Sequence, residues 1–121
     1  MSAGKVLVVA DAVIPVLRCA DVDEAVAWYR AVEFEEEWRH QFEPGLPRFV
    51  AIRRGSIALF LSEHEGDAPP SSLVWLRLEG FDELPVTELG GELLDQPWGP
   101  KLRLEDPDGN RLRIGPADAG S

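Results

Sequence analysis

The feature that most constrains the fold is an internal restart. Leu17-Arg18-Cys19-Ala20-Asp21-Val22-Asp23-Glu24 lies over Leu76-Arg77-Leu78-Glu79-Gly80-Phe81-Asp82-Glu83. Leu, Arg, Asp and Glu recur at matching places, and Val22 and Phe81 are apolar equivalents. Both stretches sit where a strand pattern hands over to a helix pattern, and similar elements follow each in the same order. A repeat of this kind is one supersecondary unit used twice. Strands with one helix per unit give an α+β architecture. The expected layout is one domain over 1–121, with module one at about 12–64, a linker at about 65–71 and module two at about 72–115.

In the first module Ala12–Arg18 reads as a strand, with Pro15 marking an edge or a bulge. Asp21 is the expected helix N-cap, with Glu24 three residues on as in a capping box. Val22, Ala25, Val26 and Tyr29 recur at helical spacing and predict one buried face. The helix should end near Ala31–Glu33. Phe34–Trp38, Arg48–Arg53 and Ser56–Ser62 read as strands, the last two joined by a tight turn at Arg54-Gly55. In the second module Ser72–Leu78 reads as a strand. Asp82 is the expected cap of a short helix over Glu83–Leu89, with Pro85 tolerated in its first turn. Leu102–Glu105 and Arg111–Ile114 read as strands joined by the turn Asp106-Pro107-Asp108-Gly109-Asn110. Trp28 and Trp75 are expected in the core.

Composition narrows the function. With 22 Asp and Glu against 12 Lys and Arg, the formal net charge is −10. Phosphate backbones repel such a surface and no basic stripe is evident in the sequence, so nucleic acid is not expected as a partner. The acidity serves solubility, or an acidic groove that attracts a cation. No apolar run approaches the roughly 18 residues a membrane span needs. Cys19 is the single cysteine, so no internal disulfide can form, and a reducing cytoplasm is the expected compartment. Cys19 reads as a small core residue. No phosphate-binding glycine loop or nucleophile elbow is present, so no catalytic residue is assigned.

Three segments resemble the first module of bleomycin resistance proteins: Ala12–Arg18, Val26-Ala27-Trp28-Tyr29-Arg30 and Leu59-Phe60-Leu61-Ser62-Glu63-His64. Asp95-Gln96-Pro97-Trp98-Gly99 and Asp106-Pro107-Asp108-Gly109-Asn110-Arg111 resemble their second module. The second of these turns is shared across the glyoxalase, extradiol dioxygenase and drug-resistance superfamily. The resemblance covers nearly the whole chain and implies the vicinal-oxygen-chelate fold, two βαβββ modules in a dimer that exchanges an N-terminal strand. Here that strand would be Lys5–Ala10. Two departures border the groove of relatives. The family's Leu-Gly-Phe after the first helix is Val32-Glu33-Phe34, a shorter join without glycine, and the segment Phe81–Asp95 is shortened.

The resemblance also implies where enzymes of the superfamily place four metal ligands. Those positions hold Ile14, Phe60, Leu73 and Arg113 here, none able to donate to a divalent cation. His40 and His64 read as solvated loop or strand-end residues. No metal and no cofactor is therefore expected. By the same resemblance the segment Trp38–Phe42 carries the pair of rings that clamps a flat ligand, and Trp98 lines the groove. Phe49, which also lies outside the helices' apolar faces, is a further candidate, and Glu35, Glu37 and Glu43 would surround the clamp with negative charge. Ring stacking and cation–π attraction suit a planar, cationic natural product. The expected function is metal-independent binding of a small molecule by a homodimer, as in antibiotic sequestration. A metal-independent enzyme and a metabolite-binding sensor or carrier stand as alternatives.

Overall fold

The computed structural model describes residues 11–118. The Lys5–Ala10 segment lies outside the described residues. The chain runs β1 (Val16–Arg18), α1 (Val22–Arg30), β2 (Glu35–His40), β3 (Phe49–Arg54) and β4 (Ile57–Ser62). It restarts with β5 (Leu73–Leu78), a 3₁₀ turn (Phe81–Glu83), α2 (Val86–Leu89), β6 (Glu92–Gln96), β7 (Gly99–Glu105) and β8 (Arg111–Pro116). Two four-stranded sheets result, ordered β1-β4-β3-β2 and β5-β8-β7-β6. In each the opening strand pairs parallel to the closing one and the other pairs are antiparallel. The chain is thus two βαβββ modules.

Helix α1 begins where its sequence says it should. Asp21 accepts from the backbone N–H groups of Asp23 and Glu24, and Val22, Ala25, Val26 and Tyr29 are the buried face. The Val22 N–H donates to the Glu63 carboxylate, 2.8 Å away, so a residue after β4 completes the cap. Burial of each large side chain on this face contributes roughly 1.5–3 kcal/mol. Beyond the helix, Glu33 adopts φ +68, the left-handed conformation that glycine takes freely. The turn is thus made without a glycine.

One cluster of buried side chains draws on α1 and both sheets, among them Tyr29, Phe34, Leu61, Leu78 and Ile114. The turn between β7 and β8 ties the modules together. Asp106 accepts from the N–H groups of Asp108 and Asn110, from Asn110 Nδ2, and from the Tyr29 hydroxyl at 2.8 Å. Asn110 Nδ2 also donates to the Arg18 carbonyl, and the Ala20 N–H donates to Asp108. The Asp-Pro-Asp-Gly-Asn motif therefore clamps the first module, and Gly109 at φ +84 lets it turn.

Several expectations need correction. The first strand forms a ladder only over Val16–Arg18, because Pro15 has no N–H to contribute; its carbonyl still accepts from Phe60. The hairpin turn is Gly55-Ser56, one residue later than expected. The helix expected over Glu83–Leu89 is broken in two. Leu84 precedes Pro85 and is held extended, with ψ 139, because proline crowds the helical region of its predecessor. Asp82 consequently caps nothing; Gly80 occupies that position without a side-chain bond. Strand β6 emerges where no strand was assigned by residue. Trp75, expected in the core, is 51% exposed. Leu76 and Leu78 take the buried phase of β5 and alternation turns Trp75 outward. Trp28 is half-buried and packs against the core.

Candidate functional site

One face of each sheet packs into the core and the other is open. On the first sheet the open face carries an aromatic cluster. Strand β2 would not present Trp38 there by simple alternation. Glu36 pairs with Ile52 on the core side, and the register slips so that Trp38 pairs with Ala51. The extra residue, Glu37, makes a bulge that turns Trp38 to the open face. Ala51 pairs in turn with Phe60, and His40 with Phe49. The small Ala51 leaves the rings room to meet. Trp38 and Phe49 stack with centroids 5.9 Å apart and planes 15° apart. Phe60 lies 5.6 Å from Trp38 and 5.1 Å from Phe49.

Beside the rings is an open hollow of about 420 Å³ walled by Trp38, His40, Phe42, Phe49, His64 and Asp67. Phe42 stands edge-on to His40 at 4.5 Å and is 73% exposed. Arg48 and Glu63, next in the chain to Phe49 and His64, pair on the side of the sheet that meets the start of α1. The Glu63 carboxylate accepts from the Arg48 N–H and from its guanidinium, at 2.7 Å for the shortest bond. Burial alone would raise the Glu63 pKa, but Arg48 and the N–H groups of Val22 and Arg48 override it and hold it below the usual range. Asp23 lies lower too, because Arg39 and Arg48 both donate to it. This network fixes the start of β3 and the segment leading into His64.

The acidic residues are more committed than the sequence suggests. Glu37 accepts from Arg53 Nε at 2.7 Å. Glu35 lies opposite Arg53 in register, and its carboxylate is 3.8 Å from Arg30 Nε. Glu43 is exposed in the loop before β3. Trp98 stands on the other sheet, in the Pro97-Trp98 turn between β6 and β7, and is 54% exposed. It is not in the wall of the hollow. One chain therefore gathers Trp38, Phe42 and Phe49 and leaves Trp98 apart. Phe60, set aside in the sequence as an inert position, belongs to the cluster. His64 and Asp67 line the hollow as well. Alternation along Ile57–Ser62 is the one signal that could have revealed Phe60.

Ile14, Phe60, Leu73 and Arg113, the positions at which the sequence resemblance implied metal ligands, offer two aliphatics, a phenyl ring and a guanidinium. That donor set does not fit a divalent cation. Among the described residues no group of three or more His, Cys, Asp or Glu side chains is arranged to hold a metal. Burial, with Asp108 and Glu63 nearby, pushes the Cys19 thiol up to about 12, far from a nucleophile's range. No described helix is long and apolar enough to cross a membrane.

Known structures share this architecture. The bleomycin resistance determinant encoded on transposon Tn5 superposes with a TM-score of 0.69 at 23% identity, over 90% of this chain and 99% of that one. A bleomycin-binding protein complexed with bleomycin gives 0.59 at 21% identity, covering 87% and 97%. The trypanothione-dependent glyoxalase I of Leishmania major gives 0.66 at 14% identity, covering 89% and 88%. Binding proteins and enzymes thus share the fold. No curated protein matches the sequence. The family described as glyoxalase superfamily protein matches residues 2–120. The chain belongs to the glyoxalase superfamily.

Proposed function

We propose that this protein binds a planar small molecule without metal and without transforming it, sequestering an antibiotic in the manner of bleomycin resistance proteins. The observation that carries the reading is the Trp38, Phe49 and Phe60 cluster, presented by a bulge on an open sheet face rather than spent in the core. Rings half-exposed beside a hollow stabilise a flat ligand by stacking, and a cationic one gains further from the ring faces and from Glu43. The inert residues at the four ligand positions also favour binding over metal-assisted chemistry. A homodimer would set Trp98 of a second copy beside Trp38 and give the open hollow its missing wall. Leu73 and Trp98, each about half-exposed, are apolar surface such contact would cover.

The test is fluorescence quenching with bleomycin and a panel of planar natural products, with sedimentation for mass and chromatography for ligand integrity. Each lost ring contact is worth about 0.5–1.5 kcal/mol beyond buried area. Trp38→Ala should therefore weaken binding about two- to tenfold or more, and Trp98→Ala likewise in the dimer, while Trp28→Ala spares it at equal folded fraction. Chelator dialysis should leave affinity unchanged. Affinity indifferent to Trp38→Ala would remove the reading, and conversion of the ligand would replace it with the metal-independent enzyme.

A further inference from the structure

The second sheet's open face has the opposite character. Along the middle row Trp75 on β5 neighbours Arg113 on β8, which faces Arg103 on β7. Arg111 lies two residues before Arg113 on the same face, and Lys101 two before Arg103. Like charges directly opposite across a strand pair destabilise a sheet. This chain, with 22 acidic residues available, nevertheless sets guanidiniums against one another here. Arg103 has Glu92 at 3.4 Å, Arg111 donates to the Ser71 carbonyl and faces Glu105 in register. Half-buried Arg113 has no hydrogen bond or ion pair among the described residues. Its surroundings, through burial and then Arg103 and Arg111, hold its pKa below the usual guanidinium range. An anion would relieve that repulsion.

We infer that Arg113, with Arg103 and Arg111, forms an oxyanion site on the second sheet for the carboxylate or phosphate of a small planar molecule. The three line a hollow of about 210 Å³ with Glu92 and Glu105 at its sides, an excess of one positive charge. A guanidinium offers a planar fork that matches either oxyanion bidentately. A ring attached to the anion would meet Trp75, which lies across Gly115; a Cβ there would come within 3.5 Å of the indole. Within one chain this site shares no residue with the Trp38 hollow, and it stands whether or not that hollow binds a drug.

Calorimetric titration of the full chain with naphthoate, naphthyl phosphate and uncharged naphthalenemethanol tests it. At least one anion should bind about tenfold more tightly than the alcohol, and which one does assigns carboxylate or phosphate. Arg113→Gln should weaken that anion about tenfold or more, Arg103→Gln should weaken it less, and Arg113→Lys should restore part of the loss. Trp38→Ala should leave it unchanged, which separates this site from the first. The inference falls if neither anion outbinds the alcohol. It falls too if folded Arg113→Gln and Arg103→Gln proteins both keep wild-type affinity, or if Arg113→Gln breaks a dimer while anion binding persists.

Discussion

Replacing Tyr29 by Phe removes one oxygen and tests how the two modules are held in place. Tyr29 is fully buried on α1, and its hydroxyl donates to Asp106, itself 4% exposed, in the turn of the other module. Asp106 keeps its other donors from Asp108 and Asn110, so the carboxylate is not orphaned. Losing a hydrogen bond to a charged acceptor should cost about 1.5–3 kcal/mol, or a fall in Tm of several degrees for a domain of this size. The pH dependence supplies a second reading. Burial, then the charge of Asp106, raises the Tyr29 pKa far above the ordinary phenol range. A raised folded-state pKa means the contribution is fully present below the unfolded value of about 10 and lost as pH rises beyond it. At about pH 11 the wild-type protein should have lost about 1.4 kcal/mol that Tyr29→Phe does not lose. Urea melts across that window measure both, and because Tyr29 is the single tyrosine, its ionisation can be followed directly by absorbance. A cost below about 0.5 kcal/mol at neutral pH, or ordinary phenol titration in the folded protein, would refute the reasoning.

Two further outcomes follow from the backbone and the core. Glu33→Gly should stabilise the protein by about 0.5–1 kcal/mol, because relief of the left-handed strain of about 1–2 kcal/mol exceeds the added freedom of glycine in the unfolded chain; equal or lower stability in urea melts would contradict it. The Cys19 thiol, fully buried and pushed up to about 12, should react with a thiol reagent only as fast as the protein opens. Labelling of the folded protein at the rate of a free thiol would show that burial overstated.

The hollow on the first sheet and the oxyanion site differ in how they use acidity. The net charge of −10 suggests a groove for cations, yet Glu37 is paired with Arg53 and Glu35 lies near Arg30. Meanwhile Lys101, Arg103, Arg111 and Arg113 gather on one face. Net charge is a sum over the surface, whereas a ligand meets only the charges of one wall.

What the sequence by itself determined is local. Asp21 caps α1 because its side chain reaches N–H groups two and three residues on, and the buried stripe Val22, Ala25, Val26 and Tyr29 follows from a period of 3.6. The duplicated Leu-Arg and Asp-Glu pattern carried the two-module plan, and the Asp-Pro-Asp-Gly-Asn turn carries its own hydrogen bonds. Only the tertiary structure decided which face each aromatic takes. A bulge at Glu37 reverses the phase of β2 and opens Trp38 to the outside, and nothing in Glu35-Glu36-Glu37-Trp38 marks the slip. Trp75 and Phe60 likewise depend on which phase of their strands the core claims. The meeting of Phe60 with Trp38, and of Arg113 with Arg103, joins residues far apart in the chain through sheet register. A pattern of period two specifies that alternate residues share a face; packing against the rest of the protein specifies which face is buried.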